Sequence, residues 1–351
     1  MKKLLNKKMD RRKVLNTLLV AGAGATLAAC TPREKAPGPG PGPDELMFDP
    51  AILNFALNLE YLEAAFYLAA IGQLDRLPGS AQVKLPSGFD GSKQLPFENG
   101  WVKAYAEEIA EDELAHVEFL LAALGESAAQ RPVIDLDMSF KNAAAAAFGT
   151  LSDGGASLPF GSDDFDPFAA EVFFLHGAFI FEDVGVTAYK GAARYLTDKT
   201  LLGAAASILG VESYHAGEIR QVLYGVDGRA RGDGVEDGLY GAVPVWNIVE
   251  AISDARDSLD GESDVDQGIT LEALNGEGLR AQAHGGANIV PTDENGIVFS
   301  RTPRQVANIV FLNPDVTNAV GGFFPEGISI PAGLEDEFAA LLDPDFPNNL
   351  A

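Results

Sequence analysis

Glu113-Leu-Ala-His116 and Glu212-Ser-Tyr-His215 decide how this chain is read. Two more stretches belong with them, Glu60-Tyr-Leu-Glu-Ala-Ala-Phe-Tyr67 and Glu182-Asp-Val-Gly-Val-Thr-Ala-Tyr189, each a Glu followed seven residues later by a Tyr. The order along the chain is Glu, Glu-x-x-His, Glu, Glu-x-x-His. On an α-helix a spacing of three stacks two side chains on one face, one turn apart.

The motif residues lie within apolar stripes of helical period. Tyr105, Ile109, Glu113, His116 and Leu120 recur at threes and fours, as do Ile208, Glu212, His215, Ile219 and Val222. Phe168, Val172, Leu175, Phe179, Glu182, Val186 and Tyr189 form a third such stripe. A charge in an apolar stripe costs several kcal/mol unless it is compensated. Two divalent cations balance four carboxylates while both histidines stay neutral. The expected site is therefore dinuclear, with Glu60, Glu113, His116, Glu182, Glu212 and His215 as ligands, and one Glu from each of two helices plus Glu-x-x-His from two others is a known donor set of four-helix bundles. Glu63 competes with Glu60 for the inward face of the first helix, and the shared Glu-to-Tyr interval favours Glu60. Tyr67 and Tyr189 are expected beside the ligands, or as plain core residues. His176, six residues before Glu182, is assigned to the core, and His284 to a loop.

Around these motifs the sequence predicts an all-α protein. Asp49-Pro50 reads as a helix start, with the first helix ending near Ile71. The second runs from about Asn99 to Leu124 and stops at Gly125. Residues 126–165 read as a long irregular crossover with a short helical turn at Ala143–Ala147. Asp166-Pro167 repeats the start signal for a third helix reaching Tyr195, and the fourth runs from Asp198 to Tyr224. A bundle over residues 48–226 is followed by a partly helical extension, 227–351, with helices expected over Val245–Leu259 and from Ser300-Arg-Thr-Pro303 to Leu312. The acidic run Asp254, Asp257, Asp260, Glu262, Asp264, Asp266 lacks the spacing of a calcium loop and reads as a solvated face.

The N-terminal segment reads as an address. Residues 1–29 carry Lys2, Lys3, Lys7, Lys8, Arg11, Arg12 and Lys13 ahead of a Gly/Ala/Leu-rich stretch, and the Arg11-Arg12 pair reads as a twin-arginine signal peptide, with an ordinary Sec signal as the alternative. Leu27-Ala28-Ala29-Cys30 matches a lipobox, which makes Cys30, the only cysteine, the lipidation site. Residues 30–47, with their Pro/Gly repeat, form a tether. Thr31 after the lipid site, in place of Asp, points to outer-membrane sorting where the source has an outer membrane. The body without the signal carries 18 Lys+Arg against 50 Asp+Glu, a net −32. Such a surface repels nucleic acid and anionic lipid, so attachment to a membrane rests on acyl chains alone.

ILNFALNLEYLEAAFY (52–67), FEDVGVTAYKGAA (181–193), VESYHAGEIR (211–220) and IVFSRTPRQVANIV (297–310) resemble the desiccation-related, ferritin-like domain proteins. The resemblance implies a ferritin-like four-helix bundle with a crossover between the second and third helices. In the wider superfamily of bacterioferritins, rubrerythrins and manganese catalases, the matching positions imply bridging roles for Glu113 and Glu212. They imply terminal roles for Glu60 and Glu182, and one capping histidine per metal. The metals are two Fe or two Mn ions, which this donor set suits equally. Two functions follow as expectations: an envelope oxidoreductase acting on O₂ or H₂O₂ in oxidative or desiccation stress, or a non-enzymatic protective or metal-sequestering protein. With Cys30 alone available, a rubredoxin-type relay is excluded.

Overall fold

Four long helices form the bundle: α1 (Phe48–Ala70), α2 (Gly100–Leu124), α4 (Glu171–Ala193) and α5 (Lys199–Val226). They are seen in a computed structural model that describes residues 48–150, 161–226, 245–261, 265–270, 287–315 and 320–346. The signal, the tether, Cys30 and His284 lie outside the described residues. Helix α1 packs along α2 and α4 along α5, and the two pairs meet through α1 against α4 and α2 against α5.

The pairs differ in how they are buried, and the sequence says why. Helices α2 and α5 keep a polar face to solvent. Helices α1 and α4 are apolar nearly all round and buried nearly all round, as such helices must be. By length and composition α4 could cross a membrane, but nearly all of it is buried inside the protein. Like α1, it is an interior helix of the fold.

What covers it is the C-terminal layer of α6 (Val245–Asp260), α7 (Pro303–Val310) and α8 (Glu335–Leu341). Helices α6 and α7 lie on α4, and α8 lies on α1. Thr302 caps α7, accepting from the backbone N–H of Gln305 while the Gln305 side chain accepts from the Thr302 N–H. The Arg301 carbonyl approaches Gly191 so closely that a Cβ there would stand 1.7 Å from it. Only glycine admits this crossing.

The layer is also fixed by buried ion pairs. Asp183 of α4 accepts from Arg220 at 2.7 Å and from Arg256 at 3.1 Å. Arg301 pairs with Asp260 at 2.7 Å and with Asp266, which also pairs with Arg256. This corrects the reading of the acidic run as a solvated face: Asp260 and Asp266 are buried, 4% and 5% exposed, with their charges met by arginines.

Three boundaries also differ from expectation. The crossover holds a full helix, α3 (Met138–Thr150), where only a turn at Ala143–Ala147 was expected. Asp135 starts it by accepting the backbone N–H groups of Asp137, Met138 and Ser139. Phe140 anchors it among Phe66, Phe165, Phe181 and Phe323. Helix α4 starts at Glu171, five residues after the Asp166-Pro167 signal, because Asp166 closes a local turn onto the Phe168 N–H. Asp49 lies inside the first turn of α1, where its carboxylate accepts the N–H groups of Thr197 and Asp198 and so pins the α4–α5 turn. Two short strands, β1 (Val83–Lys84) and β2 (Ile134–Asp135), pair in parallel and tie together the connections flanking α2.

Candidate metal centre

Each of the six expected ligands projects from the bundle interior of its helix, where the apolar stripe directs it. Two groups of donor atoms form, each with all members within 4.8 Å of one another: Glu60, Glu113, His116 and Glu212, and Glu113, Glu182, Glu212 and His215. Nδ1 of His116 lies 3.1 Å from Glu60, 3.5 Å from Glu113 and 3.5 Å from Glu212. Nδ1 of His215 lies 3.0 Å from Glu113 and 3.5 Å from Glu182. The two imidazole centroids are 6.4 Å apart. Glu113 spans the gap, with Oε2 toward His116 and Oε1 toward His215.

The tyrosines cross between the helices. Tyr67 of α1 donates to Oε1 of Glu182 on α4, and Tyr189 of α4 donates to Oε1 of Glu60 on α1. The seven-residue interval that marks each helix therefore serves the opposite one. Each hydroxyl occupies one oxygen of its carboxylate and leaves Oε2 facing the histidines.

Glu60 rather than Glu63 stands among the donor groups. Glu63 is also buried and lies behind Glu212, across a gap left by Gly185. A Cβ on Gly185 would stand 2.3 Å from Oε2 of Glu212 and 3.3 Å from Oε1 of Glu63. The sequence marks this position only as a glycine in the middle of an otherwise strong helix. His176 lies away from the cluster, its Nδ1 2.7 Å from the Val172 carbonyl oxygen.

The electrostatics of the cluster are those of too many acids in too little water. Burial, then the neighbouring carboxylates, push Glu63 and Glu212 well above the ordinary carboxylate range. Burial also raises Glu60 to about 7 and raises Glu182, each against the pull of its histidine. Burial opposes the charge on Glu113 as well, but His116 and His215 outweigh it and hold that carboxyl below its usual range. Burial would lower His116, yet Glu60 and Glu113 lift it to about 11, and His215 rises for the same reason, led by Glu182.

The donors fit metal ions better than they fit one another. Both oxygens of Glu113, both of Glu212, Oε2 of Glu182 and Nδ1 of His215 are buried and make no hydrogen bond. The short His215–Glu113 approach lies within ion-pair range without hydrogen-bond alignment. Buried polar atoms are otherwise almost always satisfied, so a group of orphans facing one point fits a bound cation. A third acidic group, Asp257, Asp260 and Asp266, has the same spacing, but Arg301 and Arg256 meet the charges of Asp260 and Asp266.

Comparison with known proteins agrees with this architecture. The chain is 29% identical to the desiccation-related protein PCC13-62 of Craterostigma plantagineum over 263 residues, 73% of this chain and 75% of that one. It is 25% identical to the ferritin-like catalase Nec2 of Nesocodon mauritianus over 288 residues, 80% of this chain and 83% of that one. No solved structure matches it significantly. The ferritin-like domain model matches residues 48–225, the span that holds the four bundle helices and all six buried donors, and the chain belongs to the ferritin-like domain family with desiccation-related members.

Proposed function

We propose that this chain holds two metal ions, iron or manganese, between Glu60, Glu113, His116, Glu182, Glu212 and His215, and uses them on hydrogen peroxide or O₂ at the cell envelope. The observation that carries the reading is the convergence of buried carboxylate oxygens that find no hydrogen bond in the protein. Two divalent cations would balance these acids and let both histidines act as neutral donors. Bound there, a pair of redox-active ions supplies two electrons and Lewis acidity to an O–O bond. Support for peroxide comes from the relative named a ferritin-like catalase.

The chain's own groups set the conditions for that chemistry. Glu113 is placed to serve both histidine-bearing ends of the cluster. Tyr67 and Tyr189 hold Glu182 and Glu60 so that a single oxygen of each points inward. Burial and the adjoining carboxylates raise both phenols well above their ordinary range, so each keeps its proton and remains a donor. Burial and its acidic neighbours push the Glu63 carboxyl, which lies beside Glu212, well above the ordinary carboxylate range. The aromatic and aliphatic shell around α1 and α4 keeps bulk water out. The paired Arg11-Arg12 and Cys30 supply the argument for export and lipid anchoring.

A second reading has its own support, because another relative is named a desiccation-related protein. There the same metals would chiefly hold the four helices together. Metal analysis of protein purified from its native envelope, followed by peroxide and O₂ turnover, separates the two. The enzyme reading expects two ions per chain and turnover that Glu113→Ala abolishes together with metal binding. Two bound ions with no turnover on either oxidant would leave the protective role.

A further inference from the structure

The two imidazoles of the cluster are held differently. His215 turns Nδ1 to Glu113 and Glu182, while its outer nitrogen, Nε2, lies 3.5 Å from Oδ2 of Asp112. Asp112 sits on α2 just before Glu113, partly exposed at the seam between α2 and α5. His116 also turns Nδ1 inward, but no hydrogen-bond partner for its Nε2 is seen among the described residues. Its side chain is 10% exposed against 4% for His215.

The asymmetry is written in the sequence. The two motifs read Asp112-Glu-Leu-Ala-His116 and Val211-Glu-Ser-Tyr-His215. The residue that supports His215 precedes Glu113, and its counterpart in the second motif is the residue preceding Glu212. It is Val211, which accepts no hydrogen bond.

We infer that the two metal positions are inequivalent, the one served by His215 and Glu182 filling first and emptying last, with Asp112 as the positioning residue responsible. The inference rests on the dinuclear reading above. A carboxylate that accepts from Nε2–H leaves the lone pair on Nδ1, fixes the ring plane and raises its basicity. His116 has no such carboxylate on its Nε2 among the described residues, and its ring is oriented only from the inner side, by Glu60. Removing such an outer partner typically weakens a metal site 10- to 100-fold, roughly. Glu218 lies close to His215, Glu108 and Asp112, so plain attraction of cations by surface charge is the effect to be separated from this one.

Titration of the metal-free protein with Co²⁺, followed by visible absorption and calorimetry, makes that separation. Wild type should bind two ions in two resolved steps, the first at least about tenfold tighter. Asp112→Asn should weaken the first step about 10- to 100-fold and merge the two, still with two ions bound. Val211→Asp should tighten the second step by giving His116 its partner. Glu218→Gln removes the same charge without touching His215 and should leave the separation between the steps intact. Two equal steps in wild type, unchanged by Asp112→Asn, would overturn the inference while sparing the dinuclear reading. So would equal shifts in Asp112→Asn and Glu218→Gln. Failure of wild type to bind two Co²⁺ ions would overturn the dinuclear reading itself.

Discussion

Gly185→Ala sets helix propensity directly against the site. In the interior of a helix alanine is worth about 1 kcal/mol over glycine, so α4 alone would gain from the change. Its Cβ, however, would stand 2.3 Å from Oε2 and 3.2 Å from Cδ of Glu212, where ordinary contact begins at 3.4 Å. The carboxylate must retreat by about 1 Å, and Glu63, 3.3 Å from the same point, blocks part of its way. A ligand displaced by 1 Å is a large error for a site of this kind. The expected result is a folded protein of near-wild-type stability whose metal affinity falls by at least about tenfold, comparable to losing an outer-sphere partner. Gly210→Ala on α5 is the control, since a Cβ there meets nothing within 4 Å. It should gain up to about 1 kcal/mol in urea unfolding of the metal-free protein and bind metal unchanged. Metal titration of both variants decides the matter. Wild-type affinity in Gly185→Ala would refute the claim that this glycine exists to seat Glu212.

Other outcomes follow from the same geometry. Tyr67→Phe and Tyr189→Phe each leave a buried carboxylate oxygen without its donor, and each should cost about 1–3 kcal/mol in denaturant unfolding; loss from only one of them would break the symmetry argued here. Asp183→Ala leaves Arg220 in the core without a carboxylate and Arg256 with Asp266 alone, and should destabilise by about 3–5 kcal/mol, whereas an effect under 1 kcal/mol would mean that Asp266 and the backbone carbonyls around those arginines suffice. His176 is depressed to about 4 by burial, from an ordinary 6.5. Its contribution to stability is complete above the unfolded value and is lost as pH falls from about 6.5 toward 4, in total about 3 kcal/mol. The difference in unfolding free energy between wild type and His176→Gln should narrow over that window, and a constant difference would show that His176 is not the titrating group.

The clustered donors were legible because each obeys a local rule: a polar residue in a helical stripe, at a spacing that stacks it on its motif partner. The same rule could not tell which carboxylate each tyrosine meets, since an interval along one helix says nothing of the helix opposite. Asp112 stayed hidden for a similar reason, because its partner His215 lies on another helix far along the chain. Helix α3 was underread: an alanine run gives no stripe, and the turn at Asp135 and the anchor at Phe140 lie outside it. The acidic run misled because composition alone reads as solvated charge, and the arginines that bury Asp260 and Asp266 come partly from α7's leading segment. Asp166-Pro167 was a sound start signal spent on a local turn.

The clamp on α4 has a consequence for the order of events during synthesis. All six donors have left the ribosome once residue 215 has emerged, yet the carbonyl that seats on Gly191 and the guanidinium that bonds Thr187 belong to Arg301. Helix α4, which carries Glu182, is therefore not held from outside until a late part of the chain has been made. A nascent chain exposes its most apolar helix for that interval, when it is most open to aggregation and least able to hold a fixed donor set. On the proposed metal site, stop codons downstream of the bundle should be as damaging to metal binding as changes at the six donors.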